Sequence, residues 1–122
     1  MNRITSDRRA ALYIQDIIKY STNAIEFLGD QSDEQLEEDI KTQFAIIRAL
    51  EVIGEAARSI PDEIRLLAPD VPWQEVVAMR NRIVHHYFGV RMDIVLNVVR
   101  NDLRPLIDSM ECLLALLLHR PS

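Results

Sequence analysis

The chain has 122 residues, a hydrophobic share of 48%, an aromatic share of 6% and a net charge of −5. That length suits one domain, residues 1–122, with an aliphatic core large enough to stand without staples. A single cysteine excludes an intrachain disulfide framework and leaves too few ligands for a cysteine zinc site, and the acidic balance weighs against broad nucleic-acid binding.

Long periodic segments and few glycines predict an all-α protein. Helix one is expected from about Asp7 to Leu28, with Ile14, Ile17, Ile18, Ala24, Ile25 and Leu28 at helical spacing and Gly29 just past its end. Ser32-x-x-Gln35 reads as a capping box, and the acids that follow suit the positive end of a helix dipole. A second helix is expected to run unbroken from there to about Ser59, burying Ile40, Phe44, Ile47, Leu50 and Ile53, before Pro61 stops it. Within it Gly54, beside Ala56 and Ala57, offers a flat place for another helix to approach inside one subunit.

Residues 61–68 suit a short helix, and Pro69 and Pro72 bracket a linker. Trp73 reads as a core anchor in preference to a platform for stacking a base. A third helix starts near Pro72 or Trp73, takes Val76, Val77, Ile83 and Val84 as its apolar side, and ends at Gly89. A fourth helical region, from about Met92 to Leu118, is apolar on more than one side, from Ile94 and Leu96 to Leu114 and Leu117, and Pro105 must kink or split it. A helix of that kind needs a second partner, which in so small a chain predicts a homodimer. Cys112 falls in the same pattern and reads as a small core hydrophobe. No N-terminal stretch resembles a signal peptide, and Leu113 to Leu118 is too short to span a bilayer, so the cytoplasm is the expected compartment and no membrane partner is expected.

Charge is unevenly placed. Seven acids and no base lie between Glu26 and Asp39, whereas four arginines face Asp93 alone between Arg80 and Arg100. Either the second run makes a locally positive field, or both are solvated helix faces.

Groups able to act near neutral pH crowd into one stretch, Arg80-Asn81-Arg82-Ile83-Val84-His85-His86-Tyr87-Phe88-Gly89-Val90. Arginine grips phosphate through a planar fork, histidine gives or takes a proton, and tyrosine offers a hydroxyl for modification. At about 100° per residue, positions 80 and 87 share a helix face while 85 lies far from 80. Either the helix unwinds before His85 or a second chain completes the site. Such a set at a helix end can also serve merely to cap it. His86 reads as structural or partly exposed, His119 as solvated at a helix end, and Arg82 as an RNA-backbone contact or a surface ion pair. No Asp/Glu/His constellation has the spacing of a metal nuclease, so no metal and no cofactor is expected.

Arg80-x4-His85-x-Tyr87 resembles the motif of the HepT-like toxins, HEPN-domain proteins that pair with minimal nucleotidyltransferase antitoxins. Gly54-Glu55-Ala56-Ala57, Val71-Pro72-Trp73, Met79-Arg80-Asn81 and Tyr87-Phe88-Gly89-Val90 are similar to the family at matching places, whereas Arg91 and Leu96 stand where the family carries an acidic residue and a Trp. The resemblance implies a HEPN-like antiparallel helical bundle forming a homodimer, able to enter a larger assembly with its antitoxin. It also implies a metal-independent endoribonuclease toxin, with tRNA or mRNA as candidate substrates and a cleft built from two motifs. Arg80 and His85 would be catalytic and Asn81 supporting. Tyr87 would be the residue to which the antitoxin transfers AMP from ATP. The competing expectation is a non-catalytic helical module that binds a nucleotidyltransferase or its substrate.

Overall fold

The computed structural model describes residues 3–85 and 92–120, with the backbone alone for 82–85. Among the described residues every regular element is helical: α1 (Arg3–Leu28), α2 (Asp33–Glu37), α3 (Ile40–Arg58), α4 (Asp62–Arg65), α5 (Trp73–His85), α6 (Met92–Asn97) and α7 (Leu103–Leu118), with a π-helical turn over Val98–Asp102 between the last two. The expected all-α bundle is what forms. Helix α1 lies centrally, packed on α3 and on α7, and α5 packs on the other side of α3. An ion pair of 3.8 Å between Arg120 and Asp7 sets the end of α7 beside the start of α1, so these two run antiparallel. Fully buried Ile14, Ile17, Leu50, Ile53, Leu103 and Met110 form the centre of the core. Burying each such aliphatic side chain contributes roughly 1.5–3 kcal/mol.

Helix α1 begins at Arg3, before Asp7; the added turn holds one apolar residue, Ile4, which is exposed, so no apolar period marks it in the sequence. It ends as expected: Gly29 has φ 56°, and its N–H donates to the Ile25 carbonyl at 3.0 Å. The capping box also forms, with the Ser32 amide donating to Gln35 Oε1 (2.9 Å) and the Gln35 amide to Ser32 Oγ (3.2 Å).

The helix it starts does not run on to Ser59. It stops at Glu37, and Asp39 caps a new one by accepting from the Thr42 amide (3.1 Å) and hydroxyl (2.6 Å). Gln43 reaches back to the Leu36 and Glu37 carbonyls at 2.8 and 3.1 Å, satisfying the open end of α2. The break rotates the start of α3 away from the core, so Ile40 and Phe44 are exposed, while Ile46, Ile47, Leu50 and Ile53 are buried.

Pro105 splits the last helical region through the turn before it. The Leu103 N–H donates to the Val98 carbonyl, five residues back, so α7 starts in a new register. A π turn accommodates the missing N–H and the ring's demand for space. Along this region Leu96, Val99, Leu106, Ile107, Leu113 and Leu117 are buried, but Ile94, Leu116 and Leu118 are exposed. Leu96, which stands where the family carries a Trp, thus belongs to the core. Cys112 is also exposed, on the outer side of α7, and is not the core residue its neighbours suggested.

Candidate functional site

Arg80 stands on α5, and the way α5 meets α3 decides where it points. The two helices are fastened first near the connection between them. Trp73 is buried and donates its indole N–H to the Ala68 carbonyl at 3.0 Å. The Arg65 guanidinium lies 5.7 Å from the indole centroid and donates to the Ala57 and Ile60 carbonyls, both at 3.0 Å. One arginine therefore links the end of α3 to the first residue of α5, and Trp73 is the anchor expected, not a platform for a base.

Farther along, the helices touch at Gly54. A Cβ built there would lie 2.9 Å from Arg80 Cβ and 3.0 Å from the Arg80 backbone nitrogen. Only a residue without a Cβ allows so close a crossing. The approach within one subunit expected at Gly54 is thus present, and its partner is the motif arginine.

The next residue on α3, Glu55, accepts from Arg80 Nε at 3.2 Å. The same oxygen, Oε1, lies 3.8 Å from Arg48 Nη1, and Arg48 lies 3.7 Å from Glu51. A row of alternating charges results: Glu51, Arg48, Glu55, Arg80. The Arg80 and Glu55 side chains are 39% and 45% exposed, so the guanidinium is held yet open to a ligand from solution. Glu55 was not singled out as a site residue from the sequence. The only signal was its place in Gly54-Glu55-Ala56-Ala57, where the small residues drew attention.

Asn81 is exposed on α5. The helix continues through Arg82 to His85, so it does not unwind before the histidine. Residue 85 therefore lies about 140° around the axis from residue 80, and about 7.5 Å farther along it. The side chains of Arg82 and His85, and all of His86, Tyr87, Gly89 and Arg91, lie outside the described residues.

Of the two arginines of the basic run whose side chains are described, both meet acids, which weakens a locally positive field there. Arg80 meets Glu55, and Arg100 pairs with Asp33 at 2.7 Å and donates to the Gln31 carbonyl at 3.3 Å. The basic run therefore meets the acidic run at Asp33. Among the described residues no group of three His, Cys, Asp or Glu is placed to hold a metal ion, and no helix is long and apolar enough to cross a membrane.

A family model described as ribonuclease HepT-like matches residues 17–113, which include the contacts of Gly54 and Glu55 with Arg80, all of α5 and the motif. The chain belongs to the ribonuclease HepT-like family. It is 41% identical over 102 residues to the protein named "Putative RNase MJ0127" of Methanocaldococcus jannaschii, covering 80% of this chain and 83% of that one. It is likewise 41% identical over 91 residues to the "Probable ribonuclease HepT" of Thermococcus cleftensis, covering 75% of this chain and 83% of that one. No solved structure matches the chain.

Proposed function

We propose that this HepT-like chain is the toxin of a toxin–antitoxin pair: a cytoplasmic, metal-independent endoribonuclease that works as one helical domain, 1–122, in a homodimer. The observation that carries the reading is Arg80, a half-exposed guanidinium fixed on α5 five residues before His85, in a chain of this family. An RNA phosphodiester next to a 2′-OH carries its own nucleophile. A base takes the 2′-OH proton, the freed oxygen bonds to phosphorus, and the bond to the 5′-oxygen breaks as an acid protonates it. The products are a 2′,3′-cyclic phosphate and a 5′-OH. Arg80 grips the phosphate and stabilises the charge gathered on it. His85 supplies the base or the acid of this step. Asn81 orients the strand or the histidine, and Arg82 is a candidate contact to the RNA backbone.

Tyr87 is the proposed point of control. A minimal nucleotidyltransferase antitoxin would transfer AMP from ATP to its hydroxyl with release of pyrophosphate, and the added phosphate would occupy the place of the RNA phosphate. The resulting homodimer would be able to join a larger assembly with the antitoxin, and its RNA substrate would be tRNA or mRNA.

The test is purified protein on total RNA. Arg80→Ala and His85→Ala should each abolish cleavage in vitro and growth arrest in cells while leaving the helical circular-dichroism spectrum unchanged. A well-folded His85→Ala chain that cleaves no RNA yet still arrests growth in full would end the nuclease reading in favour of a non-catalytic binding module. With a cognate nucleotidyltransferase and ATP, mass spectrometry should find AMP on Tyr87 and none on the Tyr87→Phe chain.

A further inference from the structure

The Arg80–Glu55 contact is half exposed, and such pairs add little to stability. Its geometric consequence is larger. The close crossing at Gly54 fixes where the Arg80 side chain leaves α5, and Glu55 Oε1 then holds its far end by Nε at 3.2 Å. This contact uses one of the five donors of a guanidinium, and the four on the two Nη atoms are those that form a fork on a phosphate. A bare carboxylate at that place would repel the phosphate, but Arg48, 3.8 Å from the same oxygen, offsets its charge.

We propose that Glu55 is the positioning residue of the cleavage site: braced by Arg48, it holds Arg80 by Nε so that the guanidinium fork is aimed before RNA arrives. This deepens, and rests on, the reading of Arg80 as the group that grips the scissile phosphate. Ordering the side chain in advance lowers the barrier because the orienting entropy is lost before the transition state, not in reaching it. Glu55 itself touches no reacting atom.

The test uses this chain in five forms: wild type, Glu55→Ala, Glu55→Gln, Arg80→Lys, and Glu55→Ala combined with Arg80→Lys. Cleavage is followed first on total RNA and then on a fluorescent RNA oligonucleotide carrying a cleaved site. Glu55→Ala should lower kcat/KM roughly 10- to 100-fold. Glu55→Gln should lose less, because its amide oxygen still accepts from Nε. The melting temperature should move by less than about 5 °C, since the pair lies near the surface. In the Arg80→Lys background the loss should vanish, because lysine has no Nε–H of that geometry to hold. In 15N spectra the Arg80 Nε–H resonance should be sharp in wild type and broadened in Glu55→Ala.

Unchanged cleavage by Glu55→Ala, or a loss of equal size in the Arg80→Lys background, would overturn the proposal. So would an Nε–H resonance indifferent to Glu55. Wild-type protein inert on total RNA would instead remove the ribonuclease reading, and the Nε–H spectra would then decide alone whether Glu55 orders Arg80.

Discussion

At Gly54 two opposing preferences of a residue are set against each other. An alanine there would gain about 1 kcal/mol in helix propensity. Its Cβ, however, would press on the Arg80 Cβ and backbone nitrogen at 2.9 and 3.0 Å, and neither atom can rotate aside. Forcing such contacts costs about 1–3 kcal/mol, so the steric term should win. Gly54→Ala should lower the urea midpoint, corresponding to a net loss of up to about 2 kcal/mol, and should reduce RNA cleavage by displacing Arg80. A chain made more stable by the substitution would show that the helices do not meet there. The close approach was legible in the sequence, since a glycine in a helix interior needs a reason. Its partner was not, because Arg80 lies 26 residues away and only the pairing of α3 with α5 brings it near. Glu55 was hidden for the same cause: a glutamate on an exposed helix face has no local sign of the arginine it will meet.

Among the elements, those whose ends are written in a few adjacent residues were readable: Gly29 after α1, Ser32 with Gln35 at the start of α2, Pro61 before α4. The boundary missed was the one between α2 and α3, where helical periodicity continues across the break and two caps compete within eight residues. Asp39 wins the second start through Thr42. Periodicity gave the spacing of the apolar line but not its phase, which is why Ile40, Phe44 and Cys112 were expected inside and lie outside. Hydrogen bonds from the Thr42 hydroxyl, then from its amide, hold the Asp39 carboxyl below its ordinary value. A carboxyl lowered in the folded state stabilises it fully above its unfolded-state pKa, near 4, and loses that contribution as pH falls through the folded value. Amide-exchange protection at Thr42 and Gln43 should therefore fall as pH drops below about 4 in wild type and stay flatter in Asp39→Asn, whose cap carries no titrating charge. Equal acid sensitivity in both chains would place the effect elsewhere.

For the molecule as a whole, the path of α5 bears on how many chains make one site. The helix runs through His85, so residues 80 and 85 of one chain lie about 140° apart around one axis and do not share a face. The same single chain leaves Ile40 and Ile94 exposed, on the elements that begin α3 and follow the motif. Both features fit a cleft shared by two copies, which is the proposed homodimer. If each cleft takes Arg80 from one subunit and His85 from the other, two inactive variants should partly rescue each other. Random pairing of Arg80→Ala and His85→Ala chains makes about half the dimers mixed, and each mixed dimer has one cleft with both groups intact and one with neither. Cleavage should then recover to roughly a quarter of wild type per site. If a cleft instead draws both groups from one chain, every cleft lacks one of them and the mixture stays inactive. The chains must be co-expressed or refolded together, with exchange checked by native mass spectrometry. Rescue near a quarter would establish the shared cleft. Confirmed exchange without rescue would rule out this division of Arg80 and His85, and the remaining shared arrangement would be one in which each cleft needs both arginines and both histidines at once.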